Sequence, residues 1–165
     1  MELDAFNRLD AEAARAVVRP CVDIDRWVDA VVEARPYATT AELLAAARTS
    51  APRWTPAEID GALARHPRIG ERASGGGAEA SLSRSEQAGI GEPTADVAAA
   101  LAAGNRAYEE KFSRVFLIRA AGRSADEILG ALSERLAHTE EEEIPVVAEQ
   151  LRQIAVLRLE GIIGS

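Results

Sequence analysis

The helix-start signals of this chain constrain its fold more than any other feature. Ser or Thr followed three residues later by Glu recurs at Thr39-x-x-Glu42, Thr55-Pro56-Ala57-Glu58, Ser83-x-x-Glu86 and Ser124-x-x-Glu127. In such a pair the hydroxyl accepts from the backbone N–H three residues on, and the carboxylate returns to the first residue's N–H. Two groups that a helix start leaves open are thereby closed together. Asp10 and Thr94 can act as single caps, and Pro56 stands at a first helical position, where a missing N–H is no loss. A succession of helices follows.

Asp10 opens a helix that ends at Pro20, with Leu9 placed to staple against its next turn. Ile24, Trp27, Val28, Val31 and Val32 form the apolar stripe of a second. Thr39 and Thr55 open the third and fourth, the fourth ending at His66-Pro67; a short helix begins at Ser83, and a long one runs from Thr94 through Tyr108 and Phe112. Ser124 opens another, and the last carries Val146, Val147, Leu151, Ile154, Leu157 and Leu159, with Pro145 tolerated only in its first turn or at a kink. Gly70 to Ala80, with four glycines, reads as a loop. Phe116-Leu117-Ile118 is apolar enough for a strand but short, and Glu140 to Glu143 reads as a solvated acidic cap on a helix N-terminus. Tyr108, Phe112 and Phe116 read as core. Alanine dominates the apolar share and aromatics are only 4%, which favours helices packed through small side chains over strands. At 165 residues the expectation is an all-α, single-domain compact bundle of about seven to nine helices spanning 1–165.

A net charge of −8 argues against a general nucleic-acid or anionic-membrane binder, because neutralising phosphates requires excess Lys and Arg. Cys21 is the single cysteine, which excludes an internal disulfide and suits a reducing compartment. No Cys/His cluster has the spacing of structural zinc. The first residues lack the pattern of a signal peptide, no apolar run reaches the roughly 18 to 20 residues of a membrane span, and Ile163-Gly164-Ser165 is not a peroxisomal address. The cytoplasm is the expected compartment.

Two motifs are candidates for chemistry. His66, in His66-Pro67-Arg68-Ile69-Gly70-Glu71, stands where a helix gives way to a glycine-rich loop. Imidazole titrates near pH ~6.5, so it can take and give a proton at neutral pH, and Pro67 keeps His66 out of the helical region. By itself a histidine at a helix end is more often a capping or surface residue. Ser83-Arg84-Ser85-Glu86-Gln87 follows, and its Ser83 and Glu86 also spell a plain capping box with no catalytic role. Arg68 and Arg72 read as solvated, and Arg158 taken alone could be a surface ion-pair residue.

Together these motifs resemble the 2-oxo-4-hydroxy-4-carboxy-5-ureidoimidazoline (OHCU) decarboxylases of urate breakdown. The resemblance covers nearly the whole chain, from Phe6-Asn7-Arg8-Leu9-Asp10 through Cys21, Trp27, His66-Pro67-Arg68-Ile69-Gly70 and Ser83-x-x-Glu86-Gln87. It continues through Asn105-x-x-Tyr108-x-x-Lys111-Phe112 and Ala121-Gly122-Arg123-Ser124 to Ile154-Ala155-x-x-Arg158-Leu159. The order and spacing carry the specificity. The chain departs from the family with Phe112-Ser113-Arg114-Val115-Phe116 in place of Phe-Gly-Phe-Pro-Phe, and with His138-Thr139 in place of Asn-Asp.

The resemblance implies conversion of OHCU to (S)-allantoin with loss of carbon dioxide, without metal or organic cofactor, by a homodimer acting on a small ureidoimidazoline. The substrate suits this, because the carbon that loses carbon dioxide adjoins an imine carbon able to accept the electron pair. The protein is left to orient, move protons and exclude water. By resemblance His66 is the general acid–base and Glu86 a second acid–base or orienting group. Ser83 and Gln87 bind ureido and ring amides, Arg158 holds polar substrate groups with its planar fork, and Pro67 and Ile118 give wall and backbone contacts. The competing class is a helical binding or adaptor module that keeps the fold without the activity. The joint presence of His66, Ser83, Glu86, Gln87 and Arg158 argues against it.

Overall fold

The caps written in the sequence largely open the helices that form. In this computed structural model, which describes residues 1–50, 53–71 and 77–164, Asp10 accepts from the Ala13 N–H at 2.8 Å to open α2 (Ala11–Val18). Thr39 accepts from Glu42 at 3.1 Å to open α4 (Thr40–Thr49), although Glu42 returns to the N–H of Ala38 rather than of Thr39. The boxes at α5 (Pro56–Leu63) and α8 (Ala125–Leu136) close in both directions: Thr55 and Glu58 at 2.7 and 3.2 Å, Ser124 and Glu127 at 2.7 and 3.2 Å. Thr94 caps α7 (Ala95–Phe112), which runs through Tyr108 and Phe112 as its stripe required. α1 (Leu3–Arg8), α3 (Asp25–Glu33), α6 (Ala78–Ala88) and α9 (Glu140–Ile163) complete nine helices among the described residues. The fold is all-α as expected.

Three local readings are corrected, and for Pro145 the first-turn alternative is removed. α6 begins at Ala78 on Gly77, so Ser83 and Glu86 lie inside a helix and form no capping box. Ala78 to Leu82 are largely good helix formers and carry the helix back past Ser83. Phe116-Leu117-Ile118 is irregular; three residues have no neighbouring strand, and side chains take its peptide groups instead. α9 runs through Pro145, and the Glu141 carbonyl, which thereby lacks its helical donor, belongs to an exposed residue. Glu143 is not solvated but fully buried. α2 and α5 also stop earlier than Pro20 and His66, at Val18 and Leu63. Of the glycine loop, residues 72–76, and with them Arg72, lie outside the described residues.

The backbone gathers into two compact units: Met1–Ala62 with the C-terminal residues from Leu151, and Leu63–Gln150. In the first, Trp27 is fully buried and its indole N–H donates to the Ala47 carbonyl at 2.8 Å, fixing α3 against α4. Arg35 caps the end of α1 by donating to the carbonyls of Phe6 and Leu9 at 2.7 and 2.9 Å. Arg26 grips Glu58 with both arms of its fork at 2.7 and 2.8 Å, which holds the Glu58 carboxyl down to about 2. Cys21, the single cysteine, is buried.

The second unit is built on α7 and α8. Leu101, Tyr108, Phe112, Phe116, Ile118, Ile128 and Leu132 form its core, so the three aromatics are core residues as read from the sequence. Tyr108 packs on Phe112 and edge-on to Phe116, with ring centroids 4.6 and 5.2 Å away. Gly104 lets α7 approach α8, since a Cβ there would collide with the Leu132 side chain.

Candidate active site

His66 sits in a tight turn off α5, its N–H donating to the Leu63 carbonyl at 2.9 Å, and it is buried. The loop that follows is braced at three successive residues. The Gln87 side chain spans it, donating to the Arg68 carbonyl at 3.4 Å and accepting from the Gly70 N–H at 3.1 Å. Between those two, the Asn105 amide donates to the Ile69 carbonyl at 3.0 Å. Gly70 takes φ +91°, a left-handed value that glycine adopts without strain. Arg68 lies over Glu109 in a two-armed ion pair at 2.5 and 3.0 Å, which raises the guanidinium pKa and lowers that of the carboxyl. Arg68 is thus exposed, as read, but engaged.

Ser83, Glu86 and Gln87 fall at i, i+3 and i+4 of α6 and so share one face of that helix. Ser83 is buried in the helix interior, and Glu86 is half-buried. Gln87, expected as a substrate amide ligand, has part of its hydrogen-bonding capacity committed to the loop after His66, leaving one N–H and one lone pair. His66, Pro67, Ser83, Glu86, Gln87 and Ile118 belong to one unit. Arg158 belongs to the other, where it is 2% exposed and donates to the Pro20 carbonyl at 3.2 Å, so it is no surface ion-pair residue.

Asn105, which the sequence motifs name without a role, braces the loop after His66. Its signal was available: Leu101, Asn105, Tyr108 and Phe112 share the buried stripe of α7, and an amide among apolar partners must satisfy something. Beside it a cleft of about 990 Å³ is walled by Gly70, Arg84, Gln87, Glu92 and Arg106, and the buried Asn105 Oδ1 has no hydrogen-bond partner.

A second cluster surrounds Glu143. One carboxylate oxygen accepts from the Tyr108 hydroxyl at 2.6 Å and from Arg135 Nε and Nη2 at 2.7 and 2.5 Å; the other meets His138 Nδ1 at 2.8 Å. Burial and this carboxylate together push the Tyr108 phenol up from its ordinary value. The remaining arm of Arg135 donates to the Leu117 carbonyl at 2.6 Å, and its guanidinium lies 4.6 Å from the Phe116 ring centroid. Among the described residues no group of three or more His, Cys, Asp or Glu is placed to hold a metal ion.

The family model for OHCU decarboxylase matches residues 7–160. The chain belongs to the OHCU decarboxylase family. It is 32% identical over 136 residues to the 2-oxo-4-hydroxy-4-carboxy-5-ureidoimidazoline decarboxylase of Amia calva, covering 81% of this chain and 78% of that one. Its fold matches a crystal structure of OHCU decarboxylase in the presence of (S)-allantoin, with TM-score 0.73, 23% identity, and coverage of 95% of this chain and all of the other. It also matches a crystal structure of (S)-allantoin synthase, with TM-score 0.72 and 17% identity, where 99% of this chain covers 54% of that chain.

At the first position of the departure from the family's Phe-Gly-Phe-Pro-Phe, the backbone keeps a conformation suited to glycine. Ser113 takes φ +54° and ψ +28°, the left-handed conformation that a glycine at this position adopts freely, and its N–H closes α7 on the Glu109 carbonyl at 2.9 Å. Ser113 thus supplies the C-cap at a strain of about 1 kcal/mol.

Proposed function

We propose that this protein converts OHCU to (S)-allantoin and carbon dioxide as one OHCU decarboxylase-like domain spanning 1–165. Decarboxylation in urate breakdown is the activity of the family to which the chain belongs. The observation that carries the residue-level reading is the braced turn that fixes a buried His66 beside Pro67 and ties it to the α6 face bearing Glu86.

Loss of carbon dioxide leaves an electron pair on the ring carbon, which the adjoining imine takes up as an enamine. The imine nitrogen takes one proton as it receives the pair, the former imine carbon takes a second, and the hydroxyl beside the lost carboxylate gives up its proton to become a carbonyl, so that one proton is consumed overall. His66 moves these protons, and delivery from one face sets the S configuration. Glu86 assists as second acid–base or by holding the imidazole in register. Ser83 and the uncommitted half of the Gln87 amide bind ureido and ring amides, Arg158 binds carboxylate or carbonyl oxygens, and Pro67 and Ile118 contribute wall and backbone contacts. No cofactor is required, since the substrate carries its own electron sink. The protein works as a homodimer in the cytoplasm on this small molecule, binding neither nucleic acid nor membrane. Among the described residues no helix is long and apolar enough to cross a membrane.

The test is chirality. OHCU decays by itself to racemic allantoin, so purified protein with freshly generated OHCU should give an excess of the S enantiomer. A racemic product under saturating protein overturns the reading in favour of an inactive binding module.

A further inference from the structure

Ile118 lies in the irregular segment between α7 and α8, and the peptide groups on both sides of it are held by side chains. Arg135 Nη1 donates to the Leu117 carbonyl at 2.6 Å, and Gln150 Oε1 accepts from the Arg119 N–H at 2.9 Å. Both peptides are trans, so each is a plane whose C=O and N–H point opposite ways. Holding the Leu117 carbonyl therefore aims the Ile118 N–H, and holding the Arg119 N–H aims the Ile118 carbonyl. Neither Ile118 group has a hydrogen-bond partner among the described residues, although Ile118 is only 4% exposed. Buried backbone groups are nearly always paired. A donor and an acceptor on one residue, both held in direction and left unpaired, are shaped for the C=O and N–H of a ureido group or ring amide.

Arg135 cannot easily swing away. Its Nε and Nη2 are fixed on Glu143, Glu143 is fixed by Tyr108 and His138, and the guanidinium plane lies near Phe116. We propose that Arg135 and Gln150 are positioning residues that aim the Ile118 peptide groups at the substrate, with the buried Glu143 cluster as the anchor of Arg135. This rests on the reading of Ile118 as a substrate contact and adds what orients it.

The experiment compares wild type with Gln150→Met, which keeps side-chain length and loses the acceptor, and Gln150→Glu, which keeps an acceptor. With (S)-allantoin as the probe, the wild-type Ile118 and Arg119 amide resonances should shift on titration. In Gln150→Met the allantoin Kd and the OHCU KM should rise about fivefold, the scale of one lost hydrogen bond. The pH profile of kcat should stay in place and the Arg119 amide should exchange faster with solvent. Gln150→Glu should restore the affinity. Arg135→Lys, which keeps a charge against Glu143 but gives up the Leu117 carbonyl, should show the same rise in KM; if it fails to fold, the Gln150 pair decides alone. Unchanged Kd and KM in Gln150→Met, or a Gln150→Glu protein as weak as Gln150→Met, overturns the proposal. Racemic product from wild type would instead sink the decarboxylase reading, while a normal S excess with unchanged KM in Gln150→Met sinks the positioning role alone.

Discussion

Replacing Glu143 with glutamine should cost a large part of this protein's stability. Its carboxylate is fully buried against an Arg135 side chain only 6% exposed, and it also receives the Tyr108 hydroxyl and His138 Nδ1. Removing one member of a buried pair leaves the other charge without its counter-ion, at a typical cost of about 3–5 kcal/mol. The glutamine oxygen can still accept from Arg135 and Tyr108, and its N–H can donate to a neutral His138, so about 3 kcal/mol is expected. That is a large part of the roughly 5–15 kcal/mol that holds a domain together. Urea unfolding followed by circular dichroism is the assay. With a slope of about 2 kcal/mol per molar, the midpoint should fall by about 1.5 M. The double change Arg135→Met with Glu143→Leu should recover much of the loss, because it removes the desolvation cost of both charges. A Glu143→Gln midpoint within about 0.2 M of wild type would refute the reasoning, since it would mean that water reaches the pair.

Glu86→Gln should lower turnover far more than it lowers the melting temperature, because the change is isosteric yet removes the carboxylate's proton chemistry and negative charge; normal turnover would remove Glu86 from the catalytic residues. His66→Asn should lower kcat by on the order of 10²- to 10⁴-fold with the helical spectrum intact, and a wild-type rate would return His66 to a structural role. Ser113→Gly should stabilise by up to about 1 kcal/mol by relieving the left-handed strain, read as a higher urea midpoint; a lower one would mean that the serine side chain is worth more than the strain. The Glu58 carboxyl, lowered from 4.5 to about 2 chiefly by Arg26, contributes stability that is present above 4.5 and lost as the pH falls toward 2. Glu58→Gln should therefore flatten the acid limb of a stability–pH curve in that window, and an unchanged limb would show the ion pair to be inert.

Where caps and stripes speak locally, the sequence was readable. Thr55 with Glu58 and Ser124 with Glu127 formed the boxes they spelled, and the Trp27 and Tyr108 stripes turned inward as their spacing required. The same pattern misled at Ser83 and Glu86, because a capping box and an i, i+3 pair inside a helix have identical letters; only the helical residues before Ser83 distinguish them. Glu143 misled for a different reason. Four consecutive glutamates look solvated, yet one of every three or four helical positions faces inward, and that one found Arg135.

The sequence by itself determined the helical class, the starts of most helices, the core stripes and, through ordered motifs, the family with its candidate residues. Those are properties of short windows, set by backbone caps and a 3.6-residue period. Only the tertiary structure decided that Gln87 and Asn105 brace the turn after His66, and that Arg135 and Gln150 hold the peptides around Ile118. These pairs lie 17 to 36 residues apart in the chain. Their partners are backbone groups, which every residue carries and no side-chain pattern marks.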